Sequence, residues 1–267
     1  MKKLISTLAA SIIAVSSVPV ISASAFAYAG NDEISISTET LTEATIADDG
    51  NVIPAGSVAI TVSINGNTGF DSSTTKIDIG SANILVDNDG NPVYSAGEVL
   101  ESSMIVSATN DNLVAFSTAS ARMTDSDGDL FTFYATSDFD GAELVGSETE
   151  HFTGNIAMPN STLYSYKIGD VNQSGYIDAT DASAILHAVY LYDQTFGDDV
   201  IPVSYANAHL STYFPDALVA QSADGNKSNT ITNKDADLVL TYYTHQSVGN
   251  PEPVAYVGEL VYLILPD

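Results

Sequence analysis

The sequence predicts a mainly β chain with a small α domain: an N-terminal antiparallel β-sandwich followed by two loop–helix repeats. Two observations lead to this prediction. From residue 34 to residue 151, short β-branched runs alternate with clusters of Gly, Asn and Asp. Beyond residue 160, two segments with apolar residues at helical spacing each follow a loop rich in Asp and Asn. The 267 residues are enough for two domains with cores of their own.

The first 29 residues are predicted to be an export signal. Lys2 and Lys3 precede an apolar run from Leu4 to Val20, and Ala27-Tyr28-Ala29 matches the small-residue pattern of a cleavage site. An uncleaved membrane anchor is the alternative, but serines interrupt a run that barely reaches spanning length. We therefore expect a secreted, extracellular protein with no membrane span in the mature chain.

The cysteine count and the net charge limit how the protein can be stabilised and what it can bind. The chain has no cysteine, so its stability cannot depend on disulfides. All 34 acidic residues and five of the seven basic residues lie beyond the predicted signal, which gives that part of the chain a formal charge of −29. Phosphate backbones and anionic membranes would repel such a surface, so we expect no nucleic-acid partner.

The sandwich is predicted over residues 31–158. Its expected strands are rich in β-branched or alternating apolar residues: Val58–Ile64, Thr75–Ile79, Asn83–Val86, Met104–Ala108, Leu113–Phe116 and Leu130–Ala135. The first of these ends at Asn65-Gly66, a dipeptide typical of tight turns. Such short strands at regular intervals favour a sandwich over alternating β/α units.

Two acidic turns in the sandwich are predicted to be hairpin turns and not metal loops. The turn that begins at Asp87 would place Pro92 at position 6 of a calcium loop, where the proline ring forbids the required backbone. The turn from Asp125 to Asp129 would place Leu130 there and Thr136 at the closing position.

Residues 159–165 are predicted to be a linker, and residues 166–267 the second domain. Two helices are expected in this domain, at Asp181–Leu191 and Asp235–Thr244, with a further short helix around Ala217. The two helices belong to an internal repeat, because residues 169–181 align without gaps to residues 223–235.

The repeated segments have the ligand spacing of twelve-residue calcium loops, in which oxygens come from positions 1, 3, 5, 7, 9 and 12. The first copy offers Asp170, Asn172, Ser174, the carbonyl of Tyr176, Asp178 and Asp181. The second offers Asp224, Asn226, Ser228, the carbonyl of Thr230, Thr232 and Asp235. The alternative is a pair of Asx-rich turns that cap helices, but two aligned copies favour two Ca²⁺ sites.

Positions 6 and 8 agree with this interpretation. Gly175 and Asn229 occupy position 6, where a left-handed backbone is needed. Ile177 and Ile231 occupy position 8, where the backbone of one loop could pair with the other. Because the second loop has fewer carboxylates, we expect it to bind calcium more weakly.

Paired loops that are each followed, but not preceded, by a helix resemble the F-hand repeats of dockerins. The resemblance covers about Tyr166 to Tyr243 and implies a calcium-dependent contact with a cohesin. It assigns partner contacts to repeat positions 10, 11, 17 and 18: Ala179, Thr180, Leu186, His187, Asn233, Lys234, Leu240 and Thr241.

The first domain resembles a cohesin, a secreted jelly-roll sandwich. Residues 112–120 and 127–135 are similar to two late cohesin strands, and Val58–Ile64 leading to Gly69-Phe70 is similar to an early one. A cohesin here would imply a dockerin-bearing enzyme or structural protein as the partner of this domain.

Together these features predict a non-catalytic adaptor scaffoldin in an extracellular, cell-surface, cellulosome-like complex. Its dockerin would bind a scaffoldin cohesin, and its own cohesin would receive a dockerin-bearing partner. A dockerin-tethered carbohydrate-binding module is the alternative, disfavoured by the lack of tryptophan. A small glycoside hydrolase ranks lower: its base would be Glu148 or Glu150 beside His151, where a solvated strand end is the favoured interpretation.

Overall fold

A computed structural model describes residues 33–80, 82–139, 141–151, 165–208 and 217–262. The predicted signal, residues 1–29, and all but the last residue of the predicted linker lie outside the described residues. The described chain is mainly β with a small helical part, as the sequence predicts.

Two four-stranded antiparallel sheets form the sandwich. The first has the order β1 (Glu33–Thr40), β4 (Val58–Asn65), β9 (Gly128–Ala135) and β6 (Tyr94–Ala96). The second has the order β10 (Glu143–Glu150), β5 (Phe70–Asp78), β8 (Leu113–Thr124) and β7 (Met104–Asn110). A two-stranded hairpin of β2 (Thr45–Ile46) and β3 (Val52–Ile53) and a 3₁₀ turn at Glu98–Leu100 complete this part.

The sandwich core lies between the two sheets and follows the period-two alternation of the strands. In β4, Ile60, Val62 and Ile64 are fully buried, and the residues between them are partly exposed. Phe131 and Phe133 of β9 point into this core, where Phe131 stacks on Phe116 with ring centroids 4.2 Å apart.

Three details differ from the sequence prediction. Residues 83–86 do not form a strand; Ile84 and Val86 make only isolated bridges. Strand β8 continues to Thr124, well past the predicted end at Phe116. The acidic turn at Asp125–Asp129 joins β8 to β9, which belong to different sheets, so it is not a hairpin turn. The turn at Asp87 is a tight turn, with Asn91 N–H donating to the Asp87 carboxylate.

The helical part begins and ends on a small sheet. Strand β11 (Ser165–Lys167) pairs with β14 (Leu260–Tyr262). Between them lie α1 (Ala179–Phe196), β12 (Ile201–Pro202), α2 (Val203–Ala208), α3 (Ala217–Ser222), β13 (Thr230–Ile231) and α4 (Asn233–Ser247). All three predicted helices are present, and α1 and α4 each start two residues earlier than expected. Among the described residues, no helix is both long and apolar enough to cross a membrane.

Candidate functional site: two acidic loops and the helices they position

The first acidic loop connects β11 to α1 and is held by hydrogen bonds from its own backbone. One oxygen of Asp170 accepts from Gly175 N–H at 3.0 Å, and the Asn172 side chain accepts from Ser174 N–H at 2.9 Å. Gly175 has φ +92°, a conformation that glycine adopts without strain. The loop therefore turns sharply at position 6.

The second loop, between α3 and α4, repeats this geometry. Asp224 accepts from Asn229 N–H at 2.7 Å, and Asn226 accepts from Ser228 N–H at 2.9 Å. Asn229 has φ +65°, in the left-handed region that asparagine tolerates. Equivalent positions thus make equivalent bonds in the two loops.

The position-12 carboxylates close the loops and start the helices. Asp181 is 0% exposed and accepts N–H bonds from Val171 (2.8 Å), Asn172 (3.0 Å) and Asp178 (3.0 Å). Asp178 is in turn the N-cap of α1, accepting from Thr180 N–H at 3.0 Å. This is a capping box, in which two residues three apart satisfy each other's backbone.

Thr232 and Asp235 form the same box at the start of α4. Position 9 is therefore an N-cap in both repeats, and this explains why each helix starts two residues before position 12.

Burial makes these carboxylates costly to keep charged. Burial raises the pKa of Asp170, although N–H bonds from Gly175 and Ser174 oppose the shift. Burial, reinforced by the nearby Asp178 carboxylate, raises the pKa of Asp181 well above its ordinary value. Burial also raises the pKa of Asp235. Each loop thus concentrates negative charge in a poorly solvated place.

The donor set in each loop fits a hard cation. One oxygen of Asp170 and one of Asp235 are buried without a hydrogen-bond partner, and such an oxygen needs a compensating partner. In the first loop, the Ser174 hydroxyl lies 3.1 Å from the Tyr176 carbonyl oxygen. In the second loop, the Ser228 hydroxyl lies 3.2 Å from the Thr230 carbonyl oxygen. These carboxylate, amide, hydroxyl and carbonyl oxygens are of the type that Ca²⁺ prefers.

Asp, Glu and His side chains alone do not form a metal site in either loop. Within the described ranges, no three Asp, Glu or His side chains meet in an arrangement that could hold a metal ion. Asp181 directs both oxygens to backbone N–H groups, so ligands at positions 3, 5 and 7 would have to supply the remaining oxygens.

The expected pairing between the two loops is wrong. Ile231 at position 8 pairs with Ile201 of β12, and Ile177 at position 8 of the first loop lies in no strand. Both isoleucines nevertheless contact the helical core, with Ile231 fully buried and Ile177 partly buried. The segment between the repeats thus supplies the strand that the first loop was expected to provide.

Helices α1 and α4 pack on each other and on the outer face of the second sandwich sheet. The buried cluster of the helical part includes Ala119 of β8, and Met104 and Val106 of β7 pack against it. Val248, which follows α4, forms another buried cluster with Ala108 and Ala115. The outer side chains of this sheet are therefore small or aliphatic, which lets the helices approach closely.

Hydrogen bonds also link the helical part to the second sandwich sheet. Ser183 Oγ, on α1, donates to the Asp71 carbonyl at 2.8 Å in a buried position, and His187 Nδ1 donates to the Ala121 carbonyl at 3.3 Å. Asn110 Nδ2 donates to the Val248 carbonyl at 3.0 Å. The Tyr190 hydroxyl accepts from the Arg122 guanidinium, which also lies 4.6 Å from the Tyr190 ring centroid.

Several residues that the dockerin resemblance assigns to partner contact lie near the chain's own sandwich. In the first repeat, Ala179 and Leu186 are buried in the helical cluster, and His187 bonds to β8. Thr180 instead bonds within its loop, where its hydroxyl accepts from the Asn172 amide at 3.0 Å.

The second repeat shows a similar division. Leu240 is fully buried in the helical cluster, and Thr241 lines a cavity together with Ile105, Val106 and Ser107 of β7. Asn233 and Lys234 are exposed at the start of α4. The residues later in each helix therefore face the sandwich, and in the second repeat those at the start of the helix face solvent.

Sequence reasoning missed the sheet side of this contact. The relevant outward positions are Ser72 and Thr74 of β5 and Ser117 and Ala119 of β8. The available signal was the small size of alternate residues in β5 and β8, where a solvent-facing sandwich strand would carry large polar side chains.

The alternatives to protein docking find little support in the geometry. His151 Nδ1 lies 2.8 Å from the Asp71 carboxylate, and Glu148 and Glu150 line a cavity of about 210 Å³ against the first acidic loop. Burial, together with the charges of Asp178, Glu148 and Asp71, raises the pKa of Glu150. Glu148, Glu150 and His151 are themselves exposed, so the candidate base lies among other acidic groups at a solvated strand end.

Aromatic side chains of the sandwich are also unavailable as a sugar-binding platform. Among the described sandwich residues, no aromatic side chain is exposed. Tyr134 is buried, and the half-buried Tyr94 donates its hydroxyl to the Ile105 carbonyl at 3.1 Å.

Comparison with known proteins gives cohesin modules among solved structures. No protein-family model matches the chain, and no curated protein sequence matches it. A type III cohesin module from the ScaE cell-surface anchoring scaffoldin of Ruminococcus flavefaciens is 22% identical, with 43% of this chain and 65% of that one covered and a TM-score of 0.33. The chain thus spans just under two thirds of that module.

Two further matches are a non-cellulosomal cohesin from Archaeoglobus fulgidus and a cohesin module from a Clostridium perfringens family 33 glycoside hydrolase. The first is 13% identical over 34% of this chain and 67% of that one, with a TM-score of 0.26. The second is 16% identical over 46% and 90%, with a TM-score of 0.27.

Proposed function

We propose that the chain is a secreted, non-catalytic adaptor that assembles proteins through calcium-dependent docking. Its sandwich would act as a cohesin-like receptor for a dockerin-bearing enzyme or structural protein. Its two acidic loops would bind one Ca²⁺ each and orient α1 and α4 as the dockerin-like element for a scaffoldin cohesin. The setting would be a cellulosome-like complex outside the cell.

The observation that carries this proposal is the coupling of each acidic loop to the start of a helix that packs on the sandwich. Asp181 and Asp235 close their loops and complete the capping boxes of α1 and α4. A cation that fixes either carboxylate would therefore also fix the direction of the helix that follows.

Calcium would supply the charge that the loops lack. Asp170, Asp178 and Asp181 bring three carboxylates into the first loop, and Asp224 and Asp235 bring two into the second. Removal of calcium would leave these groups in mutual repulsion and partly buried, so helix content and docking should both fall.

The proposal is tested with the full-length protein immobilised in calcium and presented separately with a soluble cohesin and a dockerin-bearing enzyme. Capture of either that is abolished by a chelator supports the proposal. A variant with Asp170→Ala and Asp224→Ala should behave in calcium like the chelated protein. No capture in any condition, together with calorimetry that detects no calcium binding, would contradict it.

The carbohydrate-binding alternative is tested on the same material. We expect the protein to pass through insoluble cellulose and starch without retention, because the sandwich aromatics are buried or half-buried. Retention that is lost in Tyr94→Ala, with the fold intact by circular dichroism, would favour the alternative.

A further inference from the structure

The outer face of the second sandwich sheet is shaped for helices. Ser117 and Ala119 of β8 point away from the sandwich core, since their neighbours Phe116 and Thr118 point into it, yet both are 0% exposed. On β5, the paired positions Thr74 and Ser72 are also buried. This row of small side chains would make a poor solvent surface and a good seat for close-packed helices.

Helix α1 recognises a specific feature of this sheet. The ladder between β5 and β8 is interrupted between Phe70 and Ser72. Ser183 and His187, one turn apart on one face of α1, donate to the backbone carbonyls of Asp71 and Ala121, which lie within this irregularity on β5 and β8. A bulge and a matching pair of donors specify register, which non-specific apolar packing would not do.

Helix α4 engages the same face from the other repeat. Tyr243 is partly buried and lines a cavity together with Thr74, and the carbonyl of Val248 accepts from Asn110 at the far end of β7. The two helices thus contact β5, β8 and β7 together. Both repeats are engaged at once.

Acidic side chains of β10 lie close to the first acidic loop, next to the contact between the helices and the sheet. Glu148 and Glu150 of β10 pair with Thr74 and Ser72, so their side chains emerge on the helix-facing side. They line a cavity with Asp178 of the first loop. Because these carboxylates repel, the first loop can stay against β10 more easily when a bound cation offsets its charge.

From these observations we infer that the calcium-loop part of this chain, residues 165–262, is a ligand of its own sandwich. The chain docks on itself, and a dockerin-bearing partner reaches the second sheet only by displacing α1 and α4. This inference rests on the proposed function and deepens it, since it names the occupant of the outer face of the second sheet and a competition that would regulate access to that face. In the absence of a partner, α1 and α4 cover the outer face of the second sheet.

The test uses the full chain with a protease recognition sequence inserted within residues 152–164, cleaved after folding in calcium. Gel filtration then reports whether the two halves stay together. We expect co-elution at the size of the uncut chain in calcium and separation in chelator. Separation of the halves in calcium would overturn self-docking, as would an uncut chain that runs as a dimer or larger species.

Two interface variants and one control make the result specific. Ser117→Glu places a long charged side chain under the helices, so the cleaved halves should separate in calcium. Ser37→Glu, at an exposed position on the outer face of β1, should leave them together. Ser183→Ala removes one buried bond with little risk to folding and should weaken re-association of the halves by about 5- to 10-fold.

The two proposals fail differently. Halves that co-elute equally in calcium and in chelator would keep self-docking and contradict calcium-dependent docking. Halves that separate in calcium, from a protein that binds calcium by calorimetry, would do the reverse. If Ser117→Glu and Ser183→Ala both leave co-elution and affinity unchanged, the contact is not the one that holds the halves together.

Discussion

Replacement of Asp181 by asparagine separates calcium binding from loop structure. Asp181→Asn keeps the shape of the side chain and removes its charge. The amide oxygen can still accept from Val171 and Asn172, but its NH₂ group would face the Asp178 N–H, which the carboxylate now accepts. One buried donor left without an acceptor costs about 1–3 kcal/mol. Loss of a buried charge whose pKa is strongly raised acts in the opposite direction, so in chelator we expect a net change of about 1 kcal/mol or less.

In calcium the same substitution should cost more, because it also removes a ligand charge. With free calcium at about 100 times the dissociation constant, binding stabilises the folded state by about 2.7 kcal/mol, and the variant should lose most of this. Urea unfolding followed by circular dichroism, with and without chelator, measures both values. Asp199→Asn, an exposed acid beyond the end of α1, is the control and should change neither. An equal loss in both conditions would refute the ligand role and leave Asp181 as a capping residue only.

Three further predictions concern the loops and their core. Asp170→Ala should abolish the tighter calcium site and Asp224→Ala the weaker one, because loop one has three carboxylates and loop two has two; calorimetry that finds the reverse would contradict the ranking. In the metal-free protein, burial raises the pKa of Asp170 and Asp181, so the folded state binds these protons more tightly than the unfolded state does. The contribution of these protonated carboxyls to stability is therefore present at low pH and is lost as the pH rises from about 4 through the raised pKa values. The thermal midpoint of the metal-free protein should thus increase on acidification from neutrality towards a pH of about 5. A fall of the midpoint over that range would contradict this prediction. Ile231→Ala should cost about 2–5 kcal/mol in calcium, because the side chain is fully buried, whereas Ile177→Ala should cost clearly less at its partly exposed position; equal urea midpoints for the two would be evidence against this packing.

The repeats and the sandwich strands were predictable because their signals are local. Ligand spacing, Gly175 at the sharp turn and apolar residues at helical spacing lie within one short segment each. The capping boxes were also available in the sequence: Asp178 and Thr232 each stand three residues before a carboxylate. Recognition of these caps would have set both helix starts correctly.

The remaining features depend on contacts between segments that are distant in the sequence, and no local sequence pattern predicts such contacts. The predicted strand ended at Phe116 because most of residues 117–124 are small or polar, although β8 continues to Thr124 under the helices. Ile231 pairs with Ile201 because the segment between the repeats folds back beside the second loop. Such long-range pairings are decided by chain topology after the local elements have formed.

Ser183 and His187 of α1 connect the first acidic loop to the sandwich through one continuous helix. Asp181 fixes the start of α1 through its capping box, and Ser183 and His187 follow two and six residues later on the same continuous helix. A helix of this length is stiff, so a change in the direction of its first turn displaces both donors from the carbonyls of Asp71 and Ala121. Displacement by even 1 Å would lengthen bonds of 2.8 and 3.3 Å beyond useful distance. Under the proposed function, calcium binding at the first loop and the packing of α1 on the sheet would therefore be coupled. A substitution that loosens the cap should then weaken docking even where every interface residue is unchanged.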